Sequence, residues 1–196
     1  SLYITAKSSD YEISKRSIAH LRTIGQSAAE YLYNQLLVSK TPQKELEMLL
    51  QLGTTASPDI SRLLHHPKRE VRCATLLALE FDGTDKDERV NLRRELALDI
   101  SFRYYHDDTV ERQVAMRILL KLGDREVMYR ELDLFKTGNF KMRLSSILGL
   151  VHSPHMSAQI VVQREFKEGE FKKEIKNEIL GRQVRHHLPL IVEYLK

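Results

Sequence analysis

Tryptophan is absent from the 196 residues, cysteine occurs once, and aromatic side chains make up only 7%. A single cysteine, Cys73, excludes an internal disulfide framework. Its place in an apolar, periodic stretch points to a reducing compartment, so the expected location is cytoplasmic. No run approaches the roughly 18 to 20 uninterrupted apolar residues of a bilayer span, so this segment is not expected to insert into a membrane. Charge of one sign is also scarce, because 31 Lys+Arg face 27 Asp+Glu for a formal net charge of +4. That balance leaves no room for a long disordered tail or a strongly basic arm. An initiating Met and a cationic leader are both missing from Ser1-Leu2-Tyr3-Ile4, which suggests a piece cut from a longer polypeptide. Such a piece could be a regulatory segment fused to a membrane transporter or signalling enzyme.

The motifs of common chemistries are missing as well. There is no Gly-x-Ser-x-Gly, no Gly-rich phosphate loop and no Gly-x-Gly-x-x-Gly after a strand. Six of the eight histidines form the pairs His65-His66, His152/His155 and His186-His187, all at helix boundaries and without accompanying Cys or acidic clusters. A zinc site needs three or four convergent ligands, so no metal and no cofactor is expected. Cys73 reads as a small buried core filler rather than an activated nucleophile. No catalytic residue is assigned, and the chain is read as a non-enzyme.

What the sequence does hold is repetition. Glu70-Val71-Arg72-Cys73-Ala74-Thr75-Leu76-Leu77-Ala78-Leu79 carries apolar residues at helical spacing. Val110 to Asp124 repeats the pattern, as do Phe140 to Val151 and Phe171 to Gly181, and Ile18 to Gly25 and Leu46 to Gly53 precede them. The copies stand about 28 to 31 residues apart, with one interval near 40, in the range of stacked helix pairs. Sustained period-two alternation is absent, so the expected class is all-α. About six antiparallel helix pairs fill a single domain over 1–196, with approximate units 10–40, 41–66, 67–105, 106–137, 138–168 and 169–196. The long interval predicts a polar loop over 82–89 and an extended second helix from about Val90 to Tyr105.

Punctuation supports this division. Thr41-Pro42, Ser57-Pro58 and Ser153-Pro154 offer a capping hydroxyl before a proline, with His66-Pro67 a looser case. Pro189 is expected to open a last helix. Gly25, Gly53 and Gly123 follow apolar stripes, where a left-handed stop is needed. Asp107-Asp108-Thr109, Thr137-Gly138-Asn139 and Lys167 to Glu170 supply turn and cap chemistry. Ala74, Ala78 and Ala115 are expected where helices approach closely.

The run His66 to Leu79 resembles the first helix of a HEAT repeat, and Val114 to Asp124 resembles another, closest to the short bacterial HEAT-like type also found in phycobilisome lyases. The resemblance implies a right-handed α-α superhelix, or solenoid, used to bind other macromolecules. It also implies that second helices line a concave side, which there would carry Arg62, Arg94, Arg103, Arg130 and Arg164. Glu30, Glu88, Glu95, Glu131 and Glu165 interleave with these arginines, and few aromatics are available to stack on bases. The favoured reading is therefore a non-catalytic scaffold binding a protein partner, with nucleic-acid binding or a chromophore-lyase-like role as alternatives. Arg72, Arg112, Lys141 and Lys172 recur near the starts of first helices. Bonding to loop carbonyls or carboxylates of an adjacent unit is favoured over a basic ladder for an acidic partner.

Overall fold

A computed structural model describes residues 2–6, 11–39, 42–81, 86–105 and 109–181, and every regular element among them is helical. The fold is all-α. The helices are α1 (Leu2–Ala6), α2 (Tyr11–Ile24), α3 (Gln26–Val38), α4 (Pro42–Gln51), α5 (Ser57–Leu64), α6 (Arg69–Glu80) and α7 (Lys86–Glu95). They continue with α8 (Ala97–Tyr104), α9 (Thr109–Lys121), α10 (Arg125–Thr137), α11 (Phe140–Leu150), α12 (Met156–Glu168) and α13 (Lys172–Gly181), and a 3₁₀ turn, Gly53–Ala56, precedes α5. The chain divides into two compact units, Ser1–Glu111 and Arg112–Lys196.

In the first unit α3 packs on α4 and α5 on α6, while α3, α5 and α8 touch in succession, as do α4 and α6. Helices of like order thus lie beside one another, and Leu32, Leu49, Leu63, Leu76, Leu92 and Ile100 are sealed between them. Burying each such side chain contributes about 1.5–3 kcal/mol. In the second unit α10 packs on α11, α12 on α13, and α11 touches α12 and α13, with Ile147, Leu150, Val162, Phe166 and Ile175 buried. Gly149 lets α11 approach α9, since a Cβ there would stand 2.5 Å from Met116 Cε.

Chain reversals follow local chemistry. Gly25, Gly53 and Gly123 adopt φ of 72°, 66° and 80°, the left-handed stops expected from their positions. Asp124 and Asn139 cap α10 and α11, accepting from Val127 N at 2.9 Å and Met142 N at 3.1 Å. The proline signals fare differently. Ser57 lies inside α5 and is no cap, because the 3₁₀ turn runs into the helix and Ser57 N bonds Thr54 O. Pro154 stands ahead of α12, which starts at Met156, with Ser153 Oγ accepting weakly from His155 N at 3.4 Å. At His66-Pro67 the imidazole Nδ1 accepts from Lys68 N at 3.1 Å before α6 begins. Thr41, residues 82–85, His106, Asp107, Asp108 and Pro189 lie outside the described residues.

Three expectations need correction. The extended helix over 90–105 starts at Lys86 and is divided at Leu96, whose φ of −87° and ψ of 8° bend the chain. The bend keeps Leu92, Leu96 and Ile100 in the core together. Cys73 is half-buried rather than core filler and Ala74 is exposed, because α6 turns Thr75, Leu76, Leu79 and Glu80 inward. A short helix, α1, precedes the first expected unit. Its Tyr3 hydroxyl donates to the buried Glu45 at 2.7 Å, and Ser14 Oγ donates to Ala6 O at 2.9 Å.

Buried ion pairs fix how the helices meet. Arg72 holds Glu111 through Nε and Nη2, the latter at 2.7 Å, while its Nη1 bonds the carbonyls of His66 and Pro67 at 2.9 and 3.0 Å. Arg112 reaches the buried Glu131 at 2.9 Å, and Ser146 Oγ donates to the other oxygen of Glu131 at 2.5 Å. Both arginines therefore do the structural work favoured by the sequence. Lys141 does not share it, being exposed; Arg143, at the fourth helical position like Arg72 and Arg112, takes the place and bridges Glu170 at 2.6 Å. On α7, the buried Arg93 bonds the carbonyls of Leu79, Glu80 and Phe81 at 2.6, 3.0 and 3.1 Å, closing the end of α6. Arg89, one turn earlier, adds Ala78 O and Glu47.

Glu131→Ala strands the Arg112 guanidinium and the Ser146 hydroxyl, and is expected to cost about 3–5 kcal/mol in denaturant unfolding. A loss under about 1 kcal/mol would contradict the pairing. Gly25→Ala and Gly123→Ala add a Cβ that meets nothing closer than 3.6 Å. Each is expected to cost about 1–2 kcal/mol from backbone conformation alone, and thermal melts matching the parent would show that the left-handed turns are not required.

Candidate interaction faces

The five arginines expected on second helices do not form one set. Arg103 is the clear exception to surface display: it is only 6% exposed. Its guanidinium stands 3.5 Å from Glu111 and 3.1 Å from His65 Nδ1 and covers the Phe102 ring at 4.7 Å. Glu111 is fully buried and already gripped by Arg72 from one side. A second cation at its other oxygen draws Arg103 inward, so this residue is not offered to a partner.

Arg62, Arg94, Arg130 and Arg164 are exposed. Arg62 on α5 lies 4.1 Å above the ring of Tyr33 on α3 and pairs with the buried Asp59 at 3.3 Å, yet 57% of its side chain faces solvent. Asp59 also accepts from Gln26 at 2.9 Å, so α3 and α5 are tied through one carboxylate. A cation held over an aromatic face in this way is presented at a fixed position. Arg94 falls on α7, with Arg130 on α10 and Arg164 on α12. In the second unit Ser157 Oγ donates to Met128 Sδ at 3.4 Å, bringing the start of α12 to α10.

Sequence reasoning missed the aromatic and imidazole partners around these arginines. His65, three residues after Arg62, bonds Asp99 on α8 at 2.8 Å and lies tilted against Phe102 with ring centres 5.4 Å apart. Arg103 can only donate, so Nδ1 of the neutral His65 ring must accept and Nε2–H must donate to Asp99. Both ring nitrogens are thereby committed, and neither is left to take a proton from a substrate. Leu98, Phe102 and Tyr105, at i, i+4 and i+7, leave an apolar stripe exposed beside this cluster. The spacing was readable, but which way the stripe faces was not.

The interleaved carboxylates also divide. Glu30 and Glu95 are exposed and Glu88 is half-buried, whereas Glu131 is fully buried and Glu165 accepts from Phe171 N at 3.1 Å. Exposed carboxylates remain near both second-unit arginines, with Glu126 one turn before Arg130 on α10 and Glu168 one turn after Arg164 on α12. His152 is buried against Glu178 at 2.8 Å, His155 Nε2 donates to Gly123 O at 2.7 Å, and His20 on α2 is exposed. His186 and His187 lie outside the described residues. Among the described residues no three or more His, Cys, Asp or Glu side chains are grouped to hold a metal, and no helix is long and apolar enough to cross a membrane.

No protein-family model matches the chain, and no curated protein matches it. What it can do is therefore argued from the faces themselves.

The neutral His65 ring is expected to be the Nε2–H tautomer, readable from long-range ¹⁵N–¹H correlations of the imidazole. An Nδ1–H ring would show that Arg103 is not bonded there and that a nitrogen of His65 is open for chemistry.

Proposed function

We propose that this chain is a non-catalytic interaction module of the HEAT-like kind, a right-handed α-α superhelix that binds another protein through the concave side lined by its second helices. The observation that carries this reading is the sorting of its arginines. Arg72, Arg89, Arg93, Arg103 and Arg112 are spent on carbonyls and carboxylates of the scaffold itself. Arg94 and Arg164 are exposed, Arg164 one turn along α12 from the exposed Ile160, and Arg62, although paired with Asp59, keeps 57% of its side chain in solvent. Exposed Arg next to aromatic and aliphatic anchors is the composition that protein interfaces favour. Preordered donors such as Arg62, fixed over Tyr33, reduce the side-chain entropy lost on binding.

The test is affinity capture from an extract of the source cells with the wild-type chain and with Arg62, Arg94, Arg130 and Arg164 reversed to Glu. Loss of the captured protein by about tenfold or more, with an unchanged thermal melt, is the expected result. Equal recovery by both forms would contradict the reading. A mobility-shift assay with duplex DNA and single-stranded RNA in dilute buffer is expected to give no complex. A complex that dissociates steeply with added salt would favour nucleic acid instead.

A further inference from the structure

We propose that His65 is a proton-sensitive latch between α5 and α8: on taking a proton it keeps Asp99 and gives up Arg103. The inference goes beyond the interaction-module reading and does not rest on it. His65 closes the C-terminal end of α5, and 42% of its side chain faces solvent, so water reaches the ring. Its Nε2 lies 2.8 Å from Asp99 Oδ1, and its Nδ1 lies 3.1 Å from Arg103 Nη2. Asp99 and Arg103 are one turn apart on α8, so both reach the imidazole from the same face of that helix. A guanidinium only donates, and here it is met by the lone pair that a neutral ring keeps on Nδ1. Protonation fills that lone pair. Two N–H donors, each on a cation, then face one another across 3.1 Å, while the contact to Asp99 becomes an ion pair.

The charged groups around the ring decide which contact yields. On α8, Asp99 keeps 27% of its side chain in solvent and Arg103 only 7%. At the start of α9, the buried Glu111 stands 3.5 Å from Arg103 Nη1, a loose contact beside its 2.7 Å bond to Arg72 Nη2 on α6. On α5 itself Asp59 and Arg62 pair with each other, with Arg62 over Tyr33 of α3. His66 next to the ring bonds Lys68 N, Arg69 and Glu70 at the start of α6 are exposed, and the 3₁₀ turn Gly53–Ala56 brings no titratable side chain. Arg103 is the weakly held member, since its Nε is buried without a hydrogen-bond partner and its contact to Glu111 is long. On leaving Nδ1 its guanidinium closes on Glu111, a buried acid able to take a nearer cation. The movement reaches the surface through Phe102, whose ring lies 5.4 Å from the His65 ring and 4.7 Å from the Arg103 guanidinium carbon. Phe102 is the middle member of the exposed stripe Leu98, Phe102 and Tyr105, so acid resets the aromatic face of α8.

The experiment follows the His65, Arg103 and Phe102 side chains by NMR in the full chain between about pH 8 and 5, the range in which imidazoles change charge. His65→Gln serves as the control, because its amide can still accept from Arg103 and donate to Asp99 but cannot titrate. In the parent chain, the nuclear Overhauser contact between the Arg103 guanidinium protons and the His65 ring is expected to be lost as both ring nitrogens become protonated. The Phe102 ring and Arg103 Nε shifts are expected to move along the same curve, and to stay flat in His65→Gln. A doubly protonated His65 that keeps the Arg103 contact would overturn the proposal, as would a ring that releases Asp99 instead or stays neutral throughout. These outcomes are read on the parent chain alone, so they stand even where the variant folds poorly. Phe102 shifts that titrate equally in His65→Gln would assign the acid response to another group, and would also overturn it.

Discussion

Of the three carboxylates at zero exposure, Glu45, Glu111 and Glu131, the last two are gripped by arginines and set the terms on which the surrounding helices meet. A carboxylate withdrawn from water is tolerated only where cations and hydrogen-bond donors surround it. Arg72 and Arg103 close on Glu111, and Arg112 and Ser146 close on Glu131. Arg72 also spans from α6 to the carbonyls of the preceding turn, so one guanidinium joins a loop, its own helix and the start of α9. Hydrogen-bonded ion pairs of this kind are directional, whereas apolar contacts are not, and the Arg103 Nε is left buried without a hydrogen-bond partner. The apolar core supplies the driving force and the ion pairs select the register.

The same requirement decides which charges are left for a partner. Arginines that must neutralise buried acids or close the end of α6 have no freedom to reach outward. Glu131, which an outward reading sets among the surface acids, is withdrawn into the second unit, and Glu165 turns to the Phe171 amide. On α12 the exposed Arg164, Lys167 and Glu168 stand on the same helix as the exposed Met156 and Ile160. Function on this account follows from what the scaffold does not consume.

Much of the fold is legible in the sequence because its signals are local. Gly25, Gly53 and Gly123 mark left-handed stops that few other residues tolerate, and Asn139 caps α11 with its own side chain. Arg72 and Arg112 are readable as structural because they recur at one place in the repeat. Arg143 was hidden by Lys141, two residues earlier; counting from the Asn139 cap rather than matching residue type would have found it. The face of α6 was misread because Val71, Cys73, Ala74, Leu76, Leu77 and Leu79 cover more than one side of the helix, so periodicity alone does not choose. Arg103 lay beyond reach for a different reason. Its burial depends on Glu111 needing a second cation once Arg72 has taken one side, and that demand arises 39 residues away from Arg72. The His65–Asp99 contact, 34 residues apart, is similarly invisible until α5 and α8 are side by side.

The claim that buried ion pairs fix the helix register is tested most directly by a double-mutant cycle on Arg72 and Glu111, using Arg72→Met, Glu111→Gln and the double variant in denaturant unfolding. A favourable coupling of about 1.5–3 kcal/mol is predicted, with the double variant less damaged than the sum of the single ones. Additivity within about 0.5 kcal/mol would mean that the two side chains act independently, and would contradict the account.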